Sequence, residues 1–151
     1  MAGKNELIKE LTKAYWDEIE TVMNYLANSV NLDGVRAEEI KKSLAADVME
    51  ELSHAQMLAK RIKELGNSVP GSKEFKAGQS SLQPPAESTD VAQVIKGVID
   101  AENAAIEQYN RIISLCEGKD YVTQDLAVKI LSDEESHRTV FTGFLKEYSR
   151  E

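Results

Sequence analysis

The chain has 151 residues, a length typical of one domain, and its 26 acidic and 18 basic residues leave a formal net charge of −8. This acidic balance argues against a nucleic-acid partner, which needs a basic protein face, and no apolar run reaches the roughly 18 residues that span a membrane. A single cysteine, Cys116, excludes an intramolecular disulfide framework and a cysteine-rich metal site, so we expect a reduced, cytoplasmic protein.

Apolar residues recur every three or four positions along four segments, which predicts four helices. The first spans about residues 4–30, and the second spans about 36–65, where Gly66 is a suitable stop signal. All three prolines and three of the eight glycines fall within residues 66–88, which indicates a long loop. The third helix spans about 89–117 and the fourth about 121–149.

Short turns follow the first and third predicted helices, and they favour two antiparallel helix hairpins. The loop between the hairpins is long enough to run the length of a bundle, so the second and third helices can lie parallel. A coiled-coil rod would also have long helices, but the three turns argue against it. We therefore predict an all-α, up-down four-helix bundle with one long crossover loop, in a single domain over residues 1–151.

Charged residues interrupt all four apolar stripes. These residues are Glu18, Glu51, Glu102, Glu134 and His137. Four glutamates in a bundle core would be very costly unless they are paired or bind metal. The chain's two histidines, His54 and His137, each follow a glutamate by three positions, so each Glu-x-x-His pair lies on one helix face and can reach the same ion.

The same markers occur in both halves of the chain. A lone glutamate precedes the Glu-x-x-His motif by 33 residues in the first half and by 32 in the second, and a tyrosine follows each lone glutamate by seven residues. The matching residues are Glu18 and Glu102, Glu51 and Glu134, His54 and His137, and Tyr25 and Tyr109. Two helix hairpins with equal markers suggest an internal pseudo-two-fold axis.

Two of these glutamates have a rival on the same helix. Glu20 is the rival of Glu18, and Glu107 is the rival of Glu102, but both rivals lie off the apolar stripe. We therefore favour Glu18 and Glu102 as the site residues.

Other residues also have a purely structural interpretation. Tyr25 and Tyr109 could be core aromatics with satisfied hydroxyls, and Cys116 reads as a small buried apolar residue. Gly97 and Gly143 lie within predicted helices, where glycine is unfavourable, so we expect close helix contacts at both.

At these residues the sequence resembles the ferritin-like superfamily, and bacterioferritins most closely, over nearly the whole chain. The segment YVTQDLAVKILSDEESH, residues 121–137, looks like the fourth helix of bacterioferritins, and Glu18 with Tyr25 looks like the first. The resemblance implies two iron ions per chain, with manganese or zinc as possible replacements. The implied metal-binding residues are Glu18, Glu51, His54, Glu102, Glu134 and His137. It further implies that Glu51 and Glu134 bridge the two ions and that Tyr25 is a candidate electron donor.

Three features depart from the bacterioferritin pattern. Leu52 stands where bacterioferritins have their haem-binding methionine, so we do not expect haem. The sequence ends 14 residues after His137, which leaves little room for the fifth helix of 24-subunit shells, and the crossover loop looks long. These features resemble twelve-subunit Dps-like shells that keep a bacterioferritin-type centre. We therefore expect a hollow homo-oligomer, with the subunit number left open.

Carboxylate and imidazole ligands suit Fe²⁺, Mn²⁺ or Zn²⁺. Hydrogen-bond acceptors should orient the histidines, and the candidates are Asp47 for His54 and Asp133 for His137. Further acidic residues that could pass iron to or from the site are Asp47, Glu50 and Glu135.

These expectations favour a ferroxidase that oxidises Fe²⁺ with O₂ or H₂O₂, for iron storage or detoxification and protection from oxidative stress. The alternative is a di-iron or di-manganese redox enzyme without storage, such as a rubrerythrin-like peroxidase. A third hypothesis, a structural or DNA-protecting shell, is weakened by the acidic charge.

Overall fold

The computed structural model describes residues 2–148, with no side chain described for Ala2. This part of the chain contains four long helices and no strand. The helices are α1 (Ala2–Asn31), α2 (Glu38–Glu64), α3 (Val91–Cys116) and α4 (Tyr121–Tyr148). Two short 3-10 helices, Val35–Ala37 and Ser72–Glu74, lie in the connections before α2 and before α3. The prediction of an all-α four-helix bundle is confirmed.

The helix ends differ from the predicted ones by a few residues. α2 begins at Glu38 rather than near residue 36, because Gly34 has a φ of 102° and is followed by a 3-10 turn. α3 begins at Val91 because the Asp90 side chain accepts a hydrogen bond from the Gln93 amide at 3.2 Å and caps the helix. The predicted end of the fourth helix at residue 149 lies outside the described residues.

Contacts between helices establish their directions. Glu18 of α1 contacts Tyr109 of α3, and Tyr25 of α1 contacts Glu102 of α3. Because residue numbers rise along α1 while those of the contacted residues fall along α3, the two helices are antiparallel. α1 and α2 form one antiparallel hairpin, and α3 and α4 form the other. The helices α2 and α3 therefore run in the same direction, as the length of the crossover loop predicts.

The core consists of two apolar clusters at opposite ends of the bundle. One cluster contains Tyr25, Leu32, Ala37, Ile40, Leu44, Leu82, Val91, Val94, Ile95, Val98 and Phe141. The other contains Leu7, Leu11, Ala14, Leu58, Ile62, Tyr109, Ile112, Cys116, Ala127 and Ile130. Cys116 is fully buried there, as predicted, and burial raises the pKa of its thiol to about 11. The layer between the two clusters contains buried polar side chains.

The crossover loop crosses the bundle close to α1 and α3. Leu82 enters the first apolar cluster, and the Asn28 amide of α1 donates to the Leu82 carbonyl at 2.9 Å. A Cβ at Gly97 would overlap the Ser81 carbonyl, so this glycine admits the loop backbone rather than a neighbouring helix, which corrects the expectation. The same expectation is wrong for Gly143, where a Cβ would meet no atom within 4 Å.

None of the helices within residues 2–148 is both long and apolar enough to cross a membrane.

Asp120 connects the start of α4 to α2. Its carboxylate accepts from the Thr123 amide at 3.0 Å, which caps α4, and from the Arg61 guanidinium at 3.0 Å. Burial acts to raise the pKa of Asp120, but the Thr123 and Arg61 contacts outweigh it and lower the pKa below its ordinary value.

We expect Asp120→Ala to lower the free energy of unfolding by about 1 kcal/mol, because the helix loses its cap. A group whose pKa is lowered by folding stabilises the protein above its unfolded-state pKa, and this contribution is lost as the pH falls through the folded-state pKa. The difference in free energy of unfolding between Asp120→Ala and the unmodified protein should therefore be full at pH 7 and vanish in strong acid. Urea unfolding at fixed protein concentration measures it, with the exposed Asp125→Ala of the same helix as control. Equal loss in both variants would contradict the capping role.

Candidate metal centre

The six predicted site residues meet in the layer between the two apolar clusters, and all six are buried. Their ligand atoms form two overlapping groups, within each of which all atoms lie within 4.8 Å of one another. One group is Glu18, Glu51, His54 and Glu134, and the other is Glu51, Glu102, Glu134 and His137. Glu51 and Glu134 belong to both groups, which is the arrangement required of residues that bridge two ions.

Each histidine points its Nδ1 atom into the centre. His54 Nδ1 lies 3.1 Å from Glu134 Oε1 and 3.6 Å from Glu18 Oε2. His137 Nδ1 lies 3.2 Å from Glu51 Oε1 and 3.7 Å from Glu102 Oε1. The two ends of the centre are therefore alike, as the predicted pseudo-two-fold relation requires.

The other nitrogen of each histidine contacts a carboxylate on the opposite helix of the α2–α4 pair. His54 Nε2 lies 2.8 Å from Asp133, and His137 Nε2 lies 2.9 Å from Glu50 and 3.6 Å from Asp47. These contacts hold the rings with Nδ1 facing inward.

The predicted pairing of Asp47 with His54 and of Asp133 with His137 is thus wrong, because the partners are exchanged between helices. Glu50, considered only for iron transfer, is the nearest partner of His137. The sequence contained a sign of these two histidine partners, since Glu50 directly precedes Glu51 and Asp133 directly precedes Glu134, the two glutamates common to both groups. Glu135 is exposed and lies outside both groups.

Two tyrosines connect α1 and α3 across the centre. The Tyr25 hydroxyl donates to Glu102 at 2.7 Å, and the Tyr109 hydroxyl donates to Glu18 at 2.6 Å. Both side chains are buried, one in each apolar cluster. Burial raises the pKa of each phenol well above its ordinary value, and the charge of the glutamate it contacts adds to the effect. Each phenol therefore stays protonated and remains a donor.

The donor atoms of the centre fit divalent cations. Seven buried side-chain atoms here have no hydrogen-bond partner within the described residues: Glu18 Oε2, both carboxylate oxygens of Glu51, His54 Nδ1, Glu102 Oε2, Glu134 Oε1 and His137 Nδ1. Buried polar atoms without partners are costly, and here they converge on shared points. Oxygen and imidazole nitrogen are suitable ligands for iron, manganese and zinc.

Proton equilibria in the centre also depend on this burial. Burial raises the pKa of Glu18 and Glu134 well above the ordinary value, and neighbouring carboxylates add to the effect. Burial disfavours the cationic form of His54 and His137, but the surrounding carboxylates outweigh it and raise both pKa values. Because metals bind deprotonated ligands, cation binding at this centre would release protons.

The two rival glutamates lie elsewhere. Glu20 is buried, but its carboxylate accepts from the Gly78 amide at 2.9 Å and the Gln79 amide at 2.8 Å in the crossover loop. Glu107 is exposed. Neither belongs to a group of ligand atoms in the described residues, so the structure brings together Glu18 and Glu102 rather than their rivals.

Comparison with known proteins agrees with this geometry. A family model described as a ferritin-like domain matches residues 8–150. The chain therefore belongs to the ferritin-like family, and its glutamate and histidine cluster fits a di-iron site.

Within the family, the chain is similar to proteins of two kinds. It is 30% identical to a bacterioferritin of Desulfovibrio desulfuricans over 147 residues, covering 93% of this chain and 78% of that protein. It is 31% identical over 143 residues to a DNA protection during starvation protein of Pyrococcus furiosus, covering 93% and 77%. The structure resembles the bacterioferritin-related dodecameric thioferritin of Bacteroides fragilis with a TM-score of 0.84 and 28% identity, covering 97% of this chain and 88% of that chain.

Replacing Glu102 with Gln should weaken binding of one of two metal ions, because it removes a charged ligand from one end of the centre. Titration with Co²⁺ under argon, followed by visible absorption, should show two ions per chain in the unmodified protein and a weakened second ion in Glu102→Gln. Glu107→Gln, on the same helix but exposed, is the matched control. Equal titrations for Glu102→Gln and the unmodified protein would contradict the assignment.

Proposed function

We propose that the protein is a ferroxidase, which oxidises Fe²⁺ to Fe³⁺ with O₂ or H₂O₂ and stores or detoxifies iron. The observation that carries this proposal is the pair of overlapping ligand groups within one chain, with Glu51 and Glu134 common to both. Such a pair can hold two ions close enough to deliver two electrons together. The family membership and the similarity to a bacterioferritin support the same function.

Each residue has a proposed role in binding ferrous iron. Glu18 and His54 would hold one ion, Glu102 and His137 would hold the other, and the two shared glutamates would bridge them. Four ionised glutamates carry four negative charges, which equal the charge of two Fe²⁺ ions. The centre therefore favours two divalent cations over one, and these would replace the protons that its glutamates and histidines hold without metal.

The iron ions supply the electrons, and the protein supplies position and protons. Each Fe²⁺ gives one electron; two electrons and two protons convert O₂ to H₂O₂, or H₂O₂ to two waters. Asp133 and Glu50 keep the imidazoles oriented during this change of charge. The Tyr25 and Tyr109 hydroxyls hold the carboxylates of the two end glutamates.

The proposal includes assembly into a hollow homo-oligomer. The similar protein from Bacteroides fragilis is described as dodecameric, and its likeness extends over 97% of this chain. A closed shell would give the oxidised iron an enclosed volume in which to accumulate, whereas a small oligomer without a cavity would not.

Iron retention tests this proposal directly. Fe²⁺ is added in air in excess, and the protein is then separated by size exclusion with mass determination and iron assay. We expect many irons per chain on a large particle, with oxidation strongly slowed by Glu51→Ala and by Glu134→Ala because each removes a bridge. About two irons per chain on a small oligomer would instead indicate a redox enzyme without storage. Unchanged oxidation in both alanine variants would exclude the ferroxidase.

Tyr25 is proposed as an electron donor to the centre, and its symmetric partner offers a matched comparison. Tyr25→Phe and Tyr109→Phe each remove one hydroxyl that donates to an end glutamate. A change common to both variants therefore reports the hydrogen bond, and a change confined to Tyr25→Phe reports electron donation. We expect a tyrosyl radical signal in electron paramagnetic resonance after oxidation with substoichiometric iron, absent only in Tyr25→Phe. The same signal in Tyr25→Phe would remove this role.

A further inference from the structure

A cleft connects the surface of the protein to the metal centre between α1 and α3. Its volume is about 640 Å³. At its inner end it is lined by Glu18, Glu51, Glu102, Glu134 and Tyr109. Most of the remaining lining belongs to α1, to α3 and to the crossover loop. The centre is therefore reached from this face without passing between α2 and α4.

Four alanines line part of the cleft between its rim and the glutamates of the centre. Its walls there include Ala14 of α1 and three alanines of α3, Ala101, Ala104 and Ala105. Ala105 lies three positions after Glu102, one helical turn away on the same face. Alanine walls offer no ligand to a metal ion but leave room for a small uncharged molecule. We call these four residues the throat.

Positive and negative side chains nearly balance at the outer rim. Lys9, Lys13 and Lys76 lie there with four carboxylates, those of Glu10, Asp17, Glu74 and Asp100, and Lys13 contacts Asp17 at 3.0 Å. The opposite face, between α2 and α4, differs because Asp133, Glu50 and Asp47 stand beside the histidines there. The α2–α4 face should therefore attract a divalent cation more strongly than the rim of the cleft, where lysines offset the carboxylates.

Residues 75–82 of the crossover loop, here called the strap, form one side of the cleft. Glu20 accepts from the Gly78 and Gln79 amides, and the Gln79 side chain donates to Thr21 Oγ1 at 2.6 Å. The Phe75 ring packs on the Trp16 ring with centroids 5.1 Å apart. The buried Glu20 carboxylate thus holds the loop backbone in place. Burial of a carboxylate costs free energy, which indicates that the position of the loop is important.

Resting on the proposed ferroxidase function, we propose that the oxidant, a small uncharged molecule such as O₂ or H₂O₂, reaches the centre through this cleft. Glu20 is a positioning residue that holds the strap, and the strap and throat set the largest oxidant that can pass. A bulky hydroperoxide would take two electrons from two Fe²⁺ and two protons from water to give an alcohol and water, but the strap excludes it.

The first test closes the throat. Ala105→Phe should lower the second-order rate constant for H₂O₂ severalfold, while Co²⁺ stoichiometry and the Co²⁺ association rate stay unchanged. Ala59→Phe, at a partly buried alanine of α2 outside the cleft lining, is the matched control. If Ala105→Phe does not fold, Ala104→Phe places the ring at an exposed position of the same wall. An unchanged constant for H₂O₂, or an equal slowing of Co²⁺ association, would overturn the proposal.

The second test releases the strap. Glu20→Ala should raise the rate with tert-butyl hydroperoxide relative to H₂O₂, and Glu20→Gln, which keeps one acceptor oxygen, should restore part of the selectivity. Trp16 is the chain's only tryptophan and contacts the strap, so its quenching by acrylamide should increase in Glu20→Ala without any metal present. Unchanged quenching and unchanged selectivity would show that Glu20 does not control the cleft.

The two proposals fail in different ways. A protein that binds two Co²⁺ per chain but does not oxidise Fe²⁺ contradicts the ferroxidase and with it the oxidant route. A protein that oxidises Fe²⁺ equally fast with the throat filled keeps the ferroxidase function and loses only the route.

Discussion

Repulsion between four buried glutamates is the constraint on which the rest of this structure depends. The side chains lie in one layer of a helical bundle, between two apolar clusters that cannot solvate them. Carboxylates in such a place need protons, donors or cations. Two tyrosine hydroxyls and two histidines supply part of the compensation within the protein. Seven buried atoms of the centre, those of the histidine–glutamate ion pairs among them, still form no hydrogen bond, and two divalent cations would provide the remaining compensation.

Both helix hairpins contribute residues to each ligand group of the centre. The first ligand group takes Glu18, Glu51 and His54 from α1 and α2, but its fourth member, Glu134, comes from α4. Asp133 of the second hairpin holds His54 of the first, and Glu50 holds His137 in return. The site therefore forms only when the two hairpins pack together, and the crossover loop must be long enough to permit that packing.

The two faces of the bundle provide different surroundings for the same centre. Acidic side chains stand beside the histidines between α2 and α4, whereas small alanines and a fixed loop border the glutamates between α1 and α3. In the proposed ferroxidase, this difference would keep the path of the cation separate from the path of the uncharged oxidant. Glu20 shows that this arrangement costs free energy. Its buried carboxylate bonds amides of the crossover loop and belongs to neither ligand group of the centre.

Helical periodicity in the sequence predicted the four helices and five residues of the centre, because a charge at an apolar position can be recognised without knowing what it faces. His54 followed from its spacing of three residues after Glu51, and the family resemblance implied that all six bind metal. Spacing along one helix could not determine the partners of the histidines. Asp133 contacts His54 and Glu50 contacts His137 because α2 and α4 are antiparallel, so residues distant in sequence become neighbours. Gly97 and Glu20 likewise depend on the path of the crossover loop. Local pattern fixes which side chains face inward, and only tertiary packing decides what each of them meets.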